Sequence, residues 1–508
     1  MQRLGASFLA CVFAMPLMAQ DLSPMSAIDW LSKSVETPIA QPDARPNAIN
    51  EPPASTTADV PQISVMSLDG QSPDPVGLLS SDVTGLPRDL WAKSETARLV
   101  DLMQKERIDS LPAVHDLMMI LLLAEAAPPA GAGSDGALFL ARVDKLLDIG
   151  ALDPALELLA QANTQSPDIF RRWFDVSLLT GQENAACDAM KNTPSVAPTY
   201  AARIFCTARS GDWSAAALTL NTHRVLGDIT QEEEALLSRF LDPELYENEP
   251  DLAPPTRLSP LVFRMREAIG QGLPTARLPN AFAHSDLRNT TGWKGQLEAA
   301  ERLARSGAVS ENILQGQYLA RAPAASGGVW DRASAVQKLD AALVSRDSEA
   351  VERLLPATWD AMKAAKLEVP FARLYGPALS MQPLRGEAAD IAYRVVLLSP
   401  DYEAVAQTHD TQDFLTLLAQ GVPAGADDPK SQAIQAAFDG AEPSAELEAM
   451  ARNGKLGEAL LASIAAFNEG FAGDMMALTE VIAFWRFVGL EDIARRASLQ
   501  LLILDRET

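Results

Sequence analysis

Apolar residues recur every three or four positions along most of this chain, and the runs are separated by short breaks. Stretches such as TARLVDLMQKERI, AVHDLMMILLLAEA and LFLARVDKLLDIG show this spacing, which is that of one face of an α-helix. Gly and Pro fall mostly between the runs, where helices stop and start. The alternating pattern of a β-strand is almost absent. From about residue 92 onwards, the pattern therefore predicts an all-α protein of roughly twenty helices.

Four of the breaks between helices share one signature. The stretches DIGALDPALELL, LLTGQENAACDAM, ARSGDWSAAALTL and ARNGKLGEALLAS each place an alanine five residues after a glycine, and three of them place a bulky apolar residue two after it. The first three glycines lie 31 and 30 residues apart, a period that fits one helix pair per repeat. The glycines are Gly150, Gly181, Gly211 and Gly454, the alanines are Ala155, Ala186, Ala216 and Ala459, and the apolar residues are Leu152, Trp213 and Leu456.

This signature has a physical reason in a pair of antiparallel helices. The first helix must end on a residue in the left-handed conformation, which glycine adopts without penalty. The alanine then marks the close crossing of the two helices, and the apolar residue fills the gap between them. GDWSAA and GKLGEA resemble the inter-helix turn of the tetratricopeptide repeat. The resemblance implies a degenerate, tetratricopeptide-like α-solenoid whose superhelical surface binds other proteins and carries no catalytic residues.

The first residues, MQRLGASFLACVFAMPLMAQDLSP, have the pattern of a secretory signal: one basic residue, Arg3, then an apolar run, then a polar acidic stretch. The run of about 16 residues contains Pro16 and is shorter than the roughly 20 that a spanning helix needs. We therefore predict that residues 1–19 are removed, that the mature chain has no membrane segment, and that the protein is periplasmic. Lipidation at Cys11 is the less favoured alternative, because the apolar run continues beyond it.

Residues 20–85 are predicted to be a disordered, Pro-rich linker. Eight prolines fall between positions 38 and 75, among Ala, Ser, Thr, Asp and Asn, and such a segment buries too little apolar surface to offset its ordering entropy. Near its start, residues 26–35 form a candidate docking motif with apolar side chains at helical spacing. This motif either binds a partner or packs back on its own domain. Its apolar residues are Ile28, Trp30, Leu31 and Val35.

The helical part is divided here into three blocks: repeats at 86–250, a second helical block at 251–440, and C-terminal repeats with a cap at 441–508. The last turns of the chain, LQLLIL, are apolar on nearly every side, whereas the ends of a solenoid normally carry a polar face. This end therefore either tucks into the body or contacts a partner or a second copy of the chain.

Charge and composition narrow the range of partners. The formal net charge is −25, so the chain repels phosphate backbones and anionic lipid surfaces, which argues against nucleic-acid binding. Aromatic residues make up only 6% of the chain and hydrophobic residues 47%, which indicates an aliphatic, alanine-rich core of packed helices. The expected partner is a protein of the cell envelope.

The chain has three cysteines, and removal of the signal leaves two, Cys187 and Cys206. In the repeat register they lie on the second helix of one unit and the first helix of the next, on either side of a turn at residues 193–198. Antiparallel packing of these two helices places the cysteines side by side, and exported compartments are oxidising. We therefore predict a disulfide bond between them.

Candidate sites for chemistry are few. The four histidines are scattered without a second ligand at helical spacing, which argues against a metal site, and the common hydrolase and nucleotide-binding motifs are absent from the sequence. No cofactor is expected. One loop, residues 278–295, gathers polar side chains with an aromatic one and is a candidate ligand loop, although such loops more often cap helices. Its key residues are His284, Asp286, Arg288 and Trp293.

Two functions are compatible with these observations. The favoured one is a non-catalytic periplasmic scaffold that holds a protein of an envelope assembly on its helical surface. The alternative is a peptidoglycan-acting enzyme, or its accessory, with an α-superhelical body like that of some lytic transglycosylases. Such an enzyme needs a compact domain with a catalytic glutamate beside an aromatic groove. No segment of the sequence departs from the helical-repeat pattern to form such a domain.

Overall fold

The computed structural model describes residues 72–106, 110–162 and 166–504, all within one compact unit of the chain. The predicted signal peptide, the candidate docking motif at 26–35 and the linker up to residue 71 lie outside the described residues. The helical blocks, the cysteines and the candidate ligand loop lie within them.

The described residues are almost entirely helical and contain no β-strand, only two isolated bridges, Leu79 with Ala124 and Glu95 with Ala130. This confirms the predicted all-α fold. The α-helices are α1 (Ser81–Thr84), α2 (Thr96–Lys105), α3 (Pro112–Leu123), α4 (Ala137–Ile149), α5 (Leu152–Ala160), α6 (Pro167–Thr180), α7 (Glu183–Asn192), α8 (Tyr200–Arg209), α9 (Trp213–Leu226), α10 (Gln231–Leu241), α11 (Pro260–Ala268), α12 (Trp293–Arg305), α13 (Glu311–Leu319), α14 (Val329–Ser345), α15 (Ser348–Ala364), α16 (Glu368–Ser380), α17 (Gly386–Leu397), α18 (Tyr402–Thr408), α19 (Phe414–Ala419), α20 (Pro429–Phe438), α21 (Ala445–Arg452), α22 (Leu456–Phe471), α23 (Met475–Phe487) and α24 (Glu491–Ile503). Short 3₁₀ helices lie at Pro194–Val196, Pro243–Tyr246, Thr275–Arg277 and Asn280–Leu287.

Consecutive helices pack as hairpins, and neighbouring hairpins pack against each other. The pairs α4–α5, α6–α7 and α8–α9 follow one another at the period seen in the sequence, and α14–α15, α16–α17 and α22–α23 are further pairs. The fold is therefore rich in helical hairpins and compatible with a helical-repeat solenoid.

The four signature turns have a common backbone geometry. Their glycines have φ between 76° and 90°, in the left-handed region, and the alanines five residues later are all fully buried. The exposure of the bulky residue two positions after the glycine varies more. Leu152 is fully buried between its two helices, whereas Trp213 remains 49% exposed and leans on Phe240 of α10, with 6.0 Å between ring centroids.

Helices near the two ends of the described chain pack together. Helix α2 lies on α22, and α3 lies on both α22 and α24. The side-chain oxygen of Gln500 accepts a hydrogen bond from the backbone N–H of Ala113 at 2.8 Å, and Asn468 donates to the carboxylate of Glu106 at 2.8 Å. The apolar last helix is thus covered by helices of its own chain, which is the first of the two alternatives that its sequence allowed.

The chain enters the helical body through a packed strap at residues 72–79, which fall within the range 20–85 predicted as linker. Asp74 is buried, and its carboxylate accepts the N–H of Phe139 at 2.8 Å in the first turn of α4. The guanidinium of Arg142, also fully buried, donates to four backbone carbonyl groups of the strap and of the end of α3. Burial lowers the pKa of Arg142 to about 10, so the group is still charged at neutral pH.

A close contact between Gly457 and Trp91 holds the segment before α2 against α22. The N–H of Gly457 donates to the carbonyl of Leu90 at 3.1 Å, and a Cβ built on Gly457 would lie 2.4 Å from the Trp91 ring. Trp91 is fully buried, so its ring has no room to move away. Only a residue without a side chain fits at this crossing.

We expect the substitution Gly457→Ala to lower the free energy of unfolding by about 1–3 kcal/mol, because the added methyl overpacks this crossing. Gly316→Ala is the matched control: Gly316 also lies in a helix, and nothing lies within 4 Å of its Cβ position. That change should leave stability unchanged or raise it by up to about 1 kcal/mol, since alanine is the better helix former. Urea denaturation of the two variants checks this, and equal midpoints would contradict it.

Candidate interaction surface

The candidate ligand loop is a packing element. Residues 280–287 form a 3₁₀ helix that packs against α4, α6 and α12. The ring of His284 is buried and its Nε2–H donates to the carbonyl of Gly150 at 2.6 Å. Burial lowers the pKa of this histidine, so it is neutral at physiological pH. The side chain is therefore bound within the fold and positions the loop on the first hairpin turn.

The other three residues of this loop also contact the protein itself. Asp286 accepts a hydrogen bond from a neighbouring hydroxyl group, and Arg288 donates to the carboxylate of Glu267 at 2.7 and 2.8 Å. The indole N–H of Trp293 donates to the carbonyl of Gln317 at 3.0 Å. Each side chain joins the loop to a different neighbour.

The loop covers two of the three consecutive hairpin turns. A Cβ on Gly150 would lie 2.9 Å from Asn280, and one on Gly181 would lie 3.4 Å from Arg288. At Gly211, the third turn, no atom lies within 4 Å of the Cβ position. The third hairpin, α8–α9, is therefore the one whose turn is left open.

A disulfide bond joins this third hairpin to the second. Cys187 of α7 and Cys206 of α8 are bonded, with their Cα atoms 5.0 Å apart, on either side of the turn that contains the 3₁₀ helix at 194–196. This confirms the predicted pairing and the predicted positions of the cysteines on two antiparallel helices. The bond restrains α7 and α8 against sliding or separating.

A groove of about 510 Å³ runs over this disulfide between the two helices. Its floor contains both cysteines, and its walls are polar side chains spaced by one and two helical turns on each helix. From α7 come Asn184, Asp188 and Lys191, and from α8 and the residue that follows it come Arg203, Thr207 and Ser210.

Helix α9, the second helix of this third hairpin, presents an uncovered apolar row. It packs against α8 and α10, and only Ala216 and Leu220 among its side chains are buried. On the opposite side Leu218 is 69% exposed and Val225 81%, and Leu226, on the flank of the helix, is 65% exposed. Leu218 and Val225 are seven residues apart, which places them on one face two turns from each other.

The sequence does not reveal this row, for a physical reason. In WSAAALTLNTHRVL the apolar and small residues occur on all sides of the helix, so periodicity does not show which side is covered. The one available signal was the excess itself: a helix with more apolar residues than one buried face can hold must expose some of them.

An acidic segment follows α9 in the chain, and its helix α10 packs against α9. Residues 228–251 contain nine acidic residues and one basic residue, Arg239. The ion pair of Arg224 with Glu234, at 3.1 Å, places the first turn of α10 beside the last turn of α9. The ring contact of Trp213 with Phe240 places the other end of α10 beside the start of α9. Helix α10 of the acidic segment therefore packs along α9 on the side that carries Trp213 and Arg224.

Among the described residues, no group of three His, Cys, Asp or Glu side chains is placed to hold a metal ion. In the same part of the chain, no helix has the length and apolar character needed to cross a membrane. No family model matches the sequence, and comparison with curated proteins and with solved structures gave no match.

Proposed function

We propose that this protein is a non-catalytic scaffold of the cell envelope, exported by its N-terminal signal, that binds another protein through its helical-hairpin surface. The observation that carries this proposal is the uncovered apolar row of α9. Exposed apolar side chains gathered on one face, beside an open hairpin turn, are typical of a protein-binding surface. Single exposed apolar residues scattered elsewhere need no such explanation.

The helical-hairpin architecture supports the same proposal. Tetratricopeptide-like hairpins resemble modules that bind protein segments on a preformed surface, and the turn sequences GDWSAA and GKLGEA carry that resemblance. The disulfide between α7 and α8 suits an oxidising compartment and holds the surface rigid, which lowers the entropy lost on binding. In this proposal the apolar motif at residues 26–35 is a second contact to the envelope partner.

Photo-crosslinking in the producing cells tests the proposal. A photoreactive residue replacing Leu218 should give a reproducible crosslink to one envelope protein. The matched control is the same residue at Val344, an apolar position of α14 that is 79% exposed. The crosslink should be absent there and should also be lost when Val225 is changed to Asn in the Leu218-labelled chain. Identical products from positions 218 and 344, or none from either, would contradict the proposed function.

A further inference from the structure

The disulfide between Cys187 and Cys206 lies at the floor of an open groove, where another molecule can reach it. We propose that this groove is a thiol-exchange site: a dithiol enters it and reduces the bond while the helices around it stay folded. The bond is then a reversible link between the second and third hairpins. This inference concerns the groove alone and does not depend on the proposed scaffold function.

The groove gives a reagent access to the bond. A disulfide reacts with a thiolate only where the thiolate can reach a sulfur atom. The volume of about 510 Å³ falls within the range of about 300–1,000 Å³ in which proteins hold small ligands. Both cysteines line the groove and keep 7% and 6% of their surface exposed, although they also pack in the core of the two hairpins. Access to the bond therefore does not require α7 and α8 to separate.

Two cations of the groove favour the reacting form of a thiol. Lys191 follows Cys187 by four residues on α7, and Arg203 precedes Cys206 by three residues on α8. Each cation thus lies one turn from a cysteine on the same face of its helix. Both are exposed and form no ion pair with any residue that the structure describes. A cation beside a thiol stabilises its thiolate, which is the nucleophile in thiol exchange.

Most of the other charged side chains of the groove have partners. Arg209 pairs with the buried carboxylate of Glu183 at 3.3 Å and donates to the side-chain oxygen of Asn184 at 2.8 Å. Asp212 caps α9 by accepting a backbone N–H at 3.0 Å. Asp188 is the one carboxylate of the groove lining without a partner among the described residues. The unpaired groups of the groove are therefore two cations and one anion, in a chain whose net charge is −25.

The exchange consists of two displacements. A thiolate of the dithiol attacks one of the two cysteine sulfurs, the S–S bond breaks, and the other cysteine leaves as a thiolate that takes up a proton. The second thiol of the reagent loses its proton, attacks the mixed disulfide and releases the first cysteine in the same way. The dithiol is oxidised to a disulfide and the chain is reduced to two thiols, with two electrons and two protons transferred.

Reduction changes how the third hairpin is held. In the oxidised chain, α7 and α8 are joined both by the disulfide and by their packing. In the reduced chain, only the packing and the connecting turn hold α8 and α9 on the second hairpin. The reaction thus converts a clamped hairpin into a looser one and can be reversed by oxidation.

Reduction of the folded protein tests the proposal. The full chain is incubated without denaturant in dithiothreitol, alone or with a catalytic amount of thioredoxin, and its thiols are alkylated and counted by mass spectrometry. We expect the rate to rise in proportion to dithiothreitol and to lie within about 100-fold of the rate for the urea-unfolded chain. Acceleration by thioredoxin identifies a protein dithiol as the reagent, and its absence identifies a small one.

Reduction that required unfolding would behave differently. The unfolded fraction of a stable domain is about 10⁻³ or less, so the rate would fall at least about 1,000-fold below that of the unfolded chain. It would also climb with urea below the unfolding transition, because urea raises that fraction. A folded chain that reacts more than about 100-fold more slowly than the unfolded one, or a rate that climbs with urea in this way, would overturn the proposal.

Variants test the two cations. Lys191→Gln with Arg203→Gln should slow reduction by dithiothreitol at least about threefold at low salt. The matched control is Lys338→Gln with Arg394→Gln, which removes two exposed cations of α14 and α17 that also form no ion pair in the described chain. It changes the net charge equally and should leave the rate unchanged. Circular dichroism verifies that both variants, and the reduced natural chain, are folded. Equal rates for the two variants would overturn the role assigned to Lys191 and Arg203.

Discussion

Replacing both Cys187 and Cys206 with alanine should lower the free energy of unfolding by about 3 kcal/mol at 25 °C. The two residues are 19 positions apart, and closing a loop of that length removes conformational entropy from the unfolded chain by about this amount. Both cysteines are largely buried in the core shared by the second and third hairpins, so the substitution also removes packing between α7 and α8. Urea denaturation measures the effect.

Reduction of the disulfide supplies the control. A reducing agent should destabilise the natural chain by a similar amount and leave the double alanine variant unchanged, since that variant has no bond to reduce. On reduction, hydrogen exchange should become faster in α7 and α8, and it should change less in α22 and α23, which lie outside this cluster. A reductant-insensitive natural chain, or a double variant with an unchanged midpoint, would rule out the disulfide as a stabilising link.

Arg142→Met should be more damaging, with an expected loss of about 3–5 kcal/mol. Its guanidinium Nε donates to the carbonyl of Leu122 at 2.7 Å, and its two terminal nitrogens donate to Val76 at 2.7 Å and Ala124 at 3.0 Å. Methionine fills part of the volume but leaves these buried carbonyl groups without a donor. It also leaves the carboxylate of Asp74 without its cationic neighbour, whose charge favours ionisation of that group.

The strap is where this loss should first appear. Limited proteolysis of the Arg142→Met chain should cut within residues 72–79 under conditions in which the natural chain is resistant. Arg172→Met is the matched control: Arg172 pairs with Asp144 at 2.6 Å near the surface, where such pairs contribute at most about 1 kcal/mol. If both arginine variants lost the same stability, the buried donor network would not be what holds the strap.

The helical fold could be predicted because its cause is local. Each hairpin needs a left-handed residue at its turn and a small residue at its crossing, and both requirements are visible as the glycine and alanine of the repeated signature. The disulfide was predictable on the same basis. Once Cys187 and Cys206 were predicted to lie on adjacent antiparallel helices, at similar distances from the turn between them, the pairing followed.

The role of the loop at 278–295 was not predictable from its residues. His284 and Arg288 are chemically suited to bind a ligand, and in the structure they contact Gly150 and Glu267. The partners lie 134 and 21 residues away along the chain. A polar side chain in a loop has the same sequence signature whether it contacts a ligand or a distant carbonyl group.

The sequence also does not show which apolar side chains of a helix are covered by other helices. The last helix and α9 both carry more apolar residues than one buried face requires, and the sequence does not distinguish them. The structure covers the last helix with α3 and α19, and it leaves Leu218 and Val225 of α9 in solvent. The export signal, the periplasmic location and the tetratricopeptide likeness remain predictions of the sequence.

By itself, the sequence determined the helical hairpins, their period and the bond between two of them, because turns, crossings and a disulfide across one turn depend on residues close in the chain. Only the tertiary structure decided which apolar and polar surfaces are covered. Coverage depends on helices that meet from distant parts of the chain, as α3 meets α24 and as residues 280–288 meet the first two turns. The uncovered face of α9 is what those long-range contacts leave free.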